Sequence, residues 1–390
     1  MDPMARVLEM APPTQDELAR QRFVSSLRKH VMVTLPPAMR ADYEAHAAAD
    51  FARKEGHEPA DALEVRKAMR HRPLYQAWSA MRYNAQEMVW ASVQNQVERH
   101  LDELNETARK ASDEGPGSLR LNPDLPLPRE ITSLDVHLMP GCWHEEYAED
   151  DTAQGAVYEL GSAVFGGSLH YAKRGAVAYS VANMLKIRCP NFKPARILDI
   201  GCSIGTNTLP YLETYPDAEL YGIDVAAAQL RHAFARACAV DVPVHFSQQD
   251  GEHTDFEDES FDLIVSSYLF HELSVKSSKA VLTECHRLLK PGGLMLHMEL
   301  PASDQVDPYY NFFLDWDAYY NNEPHYASFR GQNLTELCAS AGFGAEQYVL
   351  WPIPNYTTVD EDYFNACARG EAEPPAHGNG SCWYLFGAWK

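Results

Sequence analysis

The stretch RILDIGCSIGT, from Arg196, constrains the fold more than any other part of the chain. Its apolar run has the length of a buried strand, and Gly201 and Gly205 permit a tight turn directly after it. A strand handing over to a helix through a glycine turn opens an α/β unit, with ligands outside the carboxyl ends of the strands. The following residues repeat the alternation. Apolar runs at 195–201, 219–224, 244–250, 261–268 and 294–300 are separated by helical segments expected at 204–214, 226–239 and 276–289. Two more strands are expected at 342–351 and 382–389. Near-continuous apolar strands of this kind form a parallel sheet covered by helices on both faces.

Three of these strands end in an aspartate: Asp199, Asp224 and Asp250. A dinucleotide site would want G-x-G-x-x-G, with the pyrophosphate on a helix N-terminus. Here the three positions hold Gly201, Ser203 and Thr206, so two glycines are missing. Asp199 also suits a pyrophosphate badly and a cation or ammonium group well. Asp224 stands where a carboxylate accepts both hydroxyls of a ribose. Asp250 can accept from an exocyclic adenine amine.

With LDIGCSIGT, YGIDVA, SQQDGE, FDLIVSSYLFHEL and LLKPGGLMLHMEL, residues from about 165 to 351 and the terminal strand resemble the class I S-adenosylmethionine-dependent methyltransferases. The resemblance implies a Rossmann-like, mostly parallel α/β sheet of seven strands with helices on both faces, the last strand antiparallel. It implies that Asp199, Gly201 and Gly205 hold the methionine moiety of S-adenosylmethionine. Asp224, with Val225 beside it, would bind the ribose, Asp250 and Gly251 the adenine, and Ser266 would complete the set. Ser203 replaces a frequent central glycine of the family. The motifs cover about half the chain and do not identify the methyl acceptor.

The front of the chain reads differently. Residues 15–112 look helical, with Leu74, Trp78, Met81, Met88, Val89 and Val93 as one apolar stripe. Pro116, Pro123, Pro126 and Pro128 then forbid regular helix. The expected division is a mainly helical accessory domain with a Pro-rich linker over 1–130. A methyltransferase domain follows over 131–390, with a lid insert at about 301–330. The Gly-bearing segment 158–171 is expected to bend around a ligand, and Arg174 to pair with the cofactor carboxylate.

For the acceptor, His271 is the candidate general base, since imidazole titrates near neutrality. Glu272 reads as a helix-start residue. In residues 309–326, eight of 18 are aromatic against 11% in the chain, which suggests a lid. Tyr268, Tyr309, Trp316, Tyr320 and Trp143 are thus the candidate substrate-binding residues, with Tyr147 beside Trp143 on one wall. His137, His144, Glu145 and Glu146 invite a metal reading, but their spacing matches no metal motif, and no metal is expected.

The formal charge of -22 weighs against nucleic acid and anionic membrane surfaces. No apolar run has the length of a membrane helix, and no signal peptide is evident. Eight scattered cysteines without a C-x-x-C pair read as reduced, core-filling thiols of a cytoplasmic protein. The expected function is methyl transfer to a small organic molecule, with O-methylation first. C- or N-methylation, and a non-methylating or regulatory S-adenosylmethionine-binding protein, are the alternatives. The front helices are candidates for a homodimer contact.

Overall fold

Along the strand that opens at Arg196, side chains alternate between two cores. Ile197 packs with Leu220, Leu230, Phe234 and Leu263 on one face of the sheet. Leu198 and Ile200 pack with Ile223, Val281, Leu282 and Leu337 on the other. This period of two, with both faces apolar, makes the strand central and buried. The computed structural model describes residues 11–166, 175–378 and 381–390. The segment 167–174, with Arg174 and the end of the Gly-bearing stretch, lies outside the described residues.

The sheet has eight strands: β1 (Gly117–Arg120), β2 (Arg196–Ile200), β3 (Glu219–Asp224), β4 (Val244–Gln248), β5 (Phe261–Ser267), β6 (Leu289–Glu299), β7 (Tyr348–Pro354) and β8 (Cys382–Trp389). Their order is β1-β4-β3-β2-β5-β6-β8-β7. β8 runs antiparallel to β6 and β7, and the other pairs are parallel. The sequence suggests seven strands. The eighth, β1, comes from the Pro-rich stretch, where the run between Pro116 and Pro123 is free of proline and pairs with β4 at the sheet edge. An edge tolerates the flanking prolines, because only one side of the strand must bond.

The order reverses between β2 and β5, and a crevice opens there. Helices Ala176–Arg188 and Ala227–Ala239 cover one face, Val275–Leu288 and Leu334–Ser340 the other. The helix expected over 204–214 shrinks to Tyr211–Thr214, and residues 203–210 run as turns. Pro210 contributes to this: it lacks the N–H that a regular helix would bond to the Thr206 carbonyl.

In front, helices Gln15–Lys29, Leu35–Asp42, Ala48–Glu55 and Ala62–Met69 precede the 42-residue helix Pro73–Glu114. The insert helix Pro308–Tyr319 docks onto them. Trp316 stacks on Trp78 with ring centroids 3.5 Å apart and donates from Nε1 to Ser79 Oγ at 2.9 Å. Buried Arg82 pairs with Asp317 beside this stack. No helix among the described residues is long and apolar enough to cross a membrane. All eight cysteines are unpaired.

Candidate functional site

A cavity of about 210 Å³ lies at the carboxyl ends of β2 to β5. Its first end is the glycine turn. Gly201 has φ 68, where a side chain is strained, and a Cβ there would meet Leu269 Cδ1 at 2.9 Å, so that side chain would have to give way. Asp199 is buried at the end of β2 and accepts from Thr208 Oγ1 at 2.5 Å. Burial raises its pKa to about 7. The Thr208 bond opposes this and the nearby Asp224 adds to it. Asp224 is held by two backbone donors, Ser203 N–H at 2.8 Å and Ala226 N–H at 2.9 Å. Asp250 accepts from Glu252 N–H at 2.9 Å.

Asp199, Gly201, Asp224, Val225, Asp250 and Gly251 all border the cavity. Gly205 and Ser266 do not. Gly205 packs beneath the turn, against Leu209 and Phe246. Ser266 turns to the opposite face, where its hydroxyl meets His297 Nδ1 at 2.9 Å. Strand alternation brings Ser267 to the cavity instead.

The front segments also reach this end. Glu159, on helix Ala153–Phe165, bonds His232 Nε2 at 2.6 Å and lies 3.3 Å from Arg236 Nε. Arg236 in turn holds the Ile204 carbonyl of the glycine turn. The helix keeps the start of the Gly-bearing segment straight rather than bent, and Tyr158 on it borders the cavity.

At the second end stand Tyr268, Trp143, His137 and Glu272. Tyr268 has φ 62, a conformation that costs a non-glycine residue about 1–2 kcal/mol. The residue is 43% exposed and borders the cavity. His137 has φ 57; its Nε2 lies 3.0 Å from Glu272 Oε1 and its Nδ1 3.2 Å from Glu323 Oε1. Burial alone would lower the His137 pKa, but Glu323 and Glu272 outweigh it and raise it to about 10. Burial would raise Glu272, but the charges of the adjoining His137 and His271 rings outweigh it and lower it to about 2.

His271 is not placed as a general base. Its Nδ1 lies 2.7 Å from Glu299 Oε2 and its Nε2 3.4 Å from Glu272 Oε1. Burial pushes its pKa down, but Glu299 and Glu272 outweigh it and carry it well above the usual imidazole range. Its two nitrogens face Glu299 and Glu272, and the ring is absent from the cavity lining, so neither nitrogen is directed at an acceptor there. Glu272 in turn is no helix-start residue. Ser274 caps helix Val275–Leu288, and Glu272 is left facing the cavity.

The aromatic insert is placed differently from its expected role. Tyr309 and Trp316 are buried against the front helices, and Tyr320 sits near Tyr75 on the same side. None of the three borders the cavity; they bury their rings among Val31, Tyr75, Trp78 and their neighbours instead. The polar turn after the insert helix reaches the site instead: Asn321 contacts His137 Nδ1 at 2.5 Å, and Glu323 pairs with the same ring. His144, Glu145 and Glu146 do not join His137. His144 faces Gly141 O, and Glu146 pairs with Arg231. Tyr147 points outward, 57% exposed. Sequence reasoning missed Glu323 and the pairing of His137 with Glu272. The NNEP run from Asn321, polar inside an aromatic stretch, was the available signal.

Residues 197–293 match the methyltransferase domain family. The chain is 33% identical over 138 residues to malonyl-[acyl-carrier protein] O-methyltransferase 1 of Coxiella burnetii, covering 33% of this chain and 44% of that protein. It is 30% identical over 120 residues to a tRNA N(3)-methylcytidine methyltransferase of Drosophila melanogaster, covering 29% and 36%. The solved structure of Haemonchus contortus phosphoethanolamine N-methyltransferase 2 with S-adenosyl-L-methionine is similar over 58% of this chain and 55% of that one, at 16% identity and a TM-score of 0.37. The chain spans less than half the length of either sequence relative, and their names point to unlike acceptors. Strand order, glycine turn and family match agree: residues 197–293 are a methyltransferase domain of the class I, S-adenosylmethionine-dependent family.

Proposed function

We propose that the protein transfers the methyl group of S-adenosylmethionine to a small organic acceptor bound at the Tyr268–Glu272 end of the cavity. The observation that carries this reading is one continuous cavity with three strand-end carboxylates at one end and an aromatic, carboxylate-bearing chamber at the other. In this reading Asp199 faces the cofactor's ammonium group, Asp224 takes the ribose hydroxyls, and Asp250 with Gly251 meets the adenine. The attack is an in-line displacement at the sulfonium methyl, so alignment and exclusion of water are the protein's main contribution. His271 serves as a positioning residue for Glu272.

A small acceptor is favoured because the chamber is walled by Trp143, Tyr158 and Tyr268, and because a net charge of -22 repels polyanions. The tRNA enzyme among the relatives makes nucleic acid the competing acceptor class. The eight unpaired thiols support a reducing, cytoplasmic setting. The test uses methyl-labelled S-adenosylmethionine with fractionated metabolites and, separately, bulk tRNA. Label in a small product, with S-adenosylhomocysteine formed one-for-one, supports the reading. Label in tRNA alone, or no cofactor binding by calorimetry, overturns it.

A further inference from the structure

Beyond the second end of the cavity, His271, Glu272 and Glu323 each place one ligand atom within 4.8 Å of the others. They come from the turn after β5 and the turn after the insert helix. His271 is oriented as a metal-binding imidazole is. Its Nδ1 faces Glu299 Oε2 at 2.7 Å, which fixes the ring and leaves Nε2 toward Glu272.

The spacing of this pair is informative. The 3.4 Å from His271 Nε2 to Glu272 Oε1 is longer than a good N–H···O hydrogen bond. It is close to the ~3.3 Å that separates two ligands lying about 2.0–2.1 Å from one tetrahedral ion. The Glu272 side chain is only 9% exposed, yet among the described residues neither of its oxygens accepts a hydrogen bond of good geometry. His137 Nε2, at 3.0 Å, contributes charge from off the hydrogen-bond axis. Three carboxylates, Glu272, Glu299 and Glu323, converge on two imidazole rings, so negative charge is in excess even with both rings cationic.

We propose that His271 Nε2, Glu272 and Glu323 bind one first-row divalent cation, of the Zn²⁺ or Mn²⁺ type, at the acceptor end of the cavity. One nitrogen and two carboxylates form a donor set for such ions rather than for Ca²⁺. Among the described residues three protein ligands are supplied, so coordination positions remain open, as in catalytic metal sites. Glu272 borders the cavity, and the open positions therefore suit an acceptor carrying an oxygen donor. This last step rests on the proposed methyl-transfer reading, whereas the ion site does not.

The test uses the full-length protein after chelator treatment, titrated with Zn²⁺ and Mn²⁺ by calorimetry and elemental analysis. Co²⁺ absorption serves as a probe of geometry. The expected result is one equivalent of metal and a Co²⁺ band pattern of nitrogen–oxygen coordination. Glu272→Gln and Glu323→Gln should each lower metal affinity at least about tenfold. Glu299→Gln, which only orients His271, should lower it roughly 10- to 100-fold. Failure to take up one equivalent overturns the proposal, as does full affinity in both Glu272→Gln and Glu323→Gln. S-adenosylmethionine binding, measured on the same samples, separates the two readings. Metal uptake without cofactor binding would sink the methyl-transfer function and leave the metal site standing. The wild-type stoichiometry and the Co²⁺ spectrum decide the matter even where a variant misfolds.

Discussion

At one end of the cavity, Asp199, Asp224 and Asp250 lie at or just beyond the ends of three adjoining strands of the sheet, and each is fixed by donors a few residues away or on the adjoining turn. At the other end, His137, Glu272, Glu299 and Glu323 arrive from four segments far apart in sequence and fix one another. The first arrangement is set by backbone: strand ends and a glycine turn place the carboxylates, and the front segment only braces that turn through Glu159 and Arg236. The second exists only once the front segment, the turn after β5 and the insert have docked. A cofactor common to a family can use the first kind of site, and an acceptor particular to one protein needs the second.

The sharpest test of this contrast concerns the insert. If its aromatic rings are packing, Trp316→Ala should cost about 3–5 kcal/mol of stability, the usual range for removing a buried tryptophan. Chemical denaturation measures this, and cofactor affinity of the folded fraction should stay within about twofold. Normal stability with a large loss of turnover would return Trp316 to the acceptor site and erase the distinction. Next in size is Glu272→Gln. Turnover on the labelled acceptor should fall roughly 10²-fold, the scale of a misplaced reacting group. The S-adenosylmethionine Kd should change by less than about threefold. A comparable change in both would mean that the two ends are one unit.

Asp224→Ala is the mirror experiment. Cofactor Kd should rise at least about tenfold, since charge-assisted hydrogen bonds are lost. Acceptor KM should stay nearly constant at saturating cofactor. Unchanged cofactor affinity would remove Asp224 from the site.

The same contrast explains what could be read from the sequence. Seven of the eight strands and the lining residues Asp199, Gly201, Asp224 and Asp250 follow from local pattern, because their geometry is set within a few residues, whereas Val225 and Gly251 follow from the family resemblance and the edge strand β1 was hidden among prolines. Ser266 against Ser267 is a failure of one residue in register, which alternation turns into the opposite face of the sheet. Tyr309, Trp316 and Tyr320 fail for another reason. Aromatic density reports a demand for burial and not which surface meets it, and here Trp78 and its neighbours meet it. His271 has the residue type of a base, but Glu299, on a different strand, decides its protonation. No local pattern carries that information.

The smallest expected effect is also the one that isolates a single carboxylate. Burial raises Asp199 to about 7 in the free protein, so near neutrality it is only partly ionised. A cationic group of the cofactor needs the ionised form. Cofactor affinity should therefore weaken as pH falls from 8 to 6, approaching tenfold per unit below about 7. Stability of the ligand-free protein should run the other way. A carboxyl whose folded pKa lies above its unfolded value favours folding at low pH, and that contribution is lost as pH rises through the folded value. Asp199→Asn is neutral throughout. Its ligand-free melting temperature should exceed that of the wild type at pH 8, with the gap narrowing as pH falls below about 7 and closing only near the unfolded carboxyl value of about 4, while its weak cofactor affinity should show a flattened pH slope. If wild type and variant share one pH slope for cofactor binding, Asp199 does not titrate in this range, and the pH dependence of the first end must come from elsewhere.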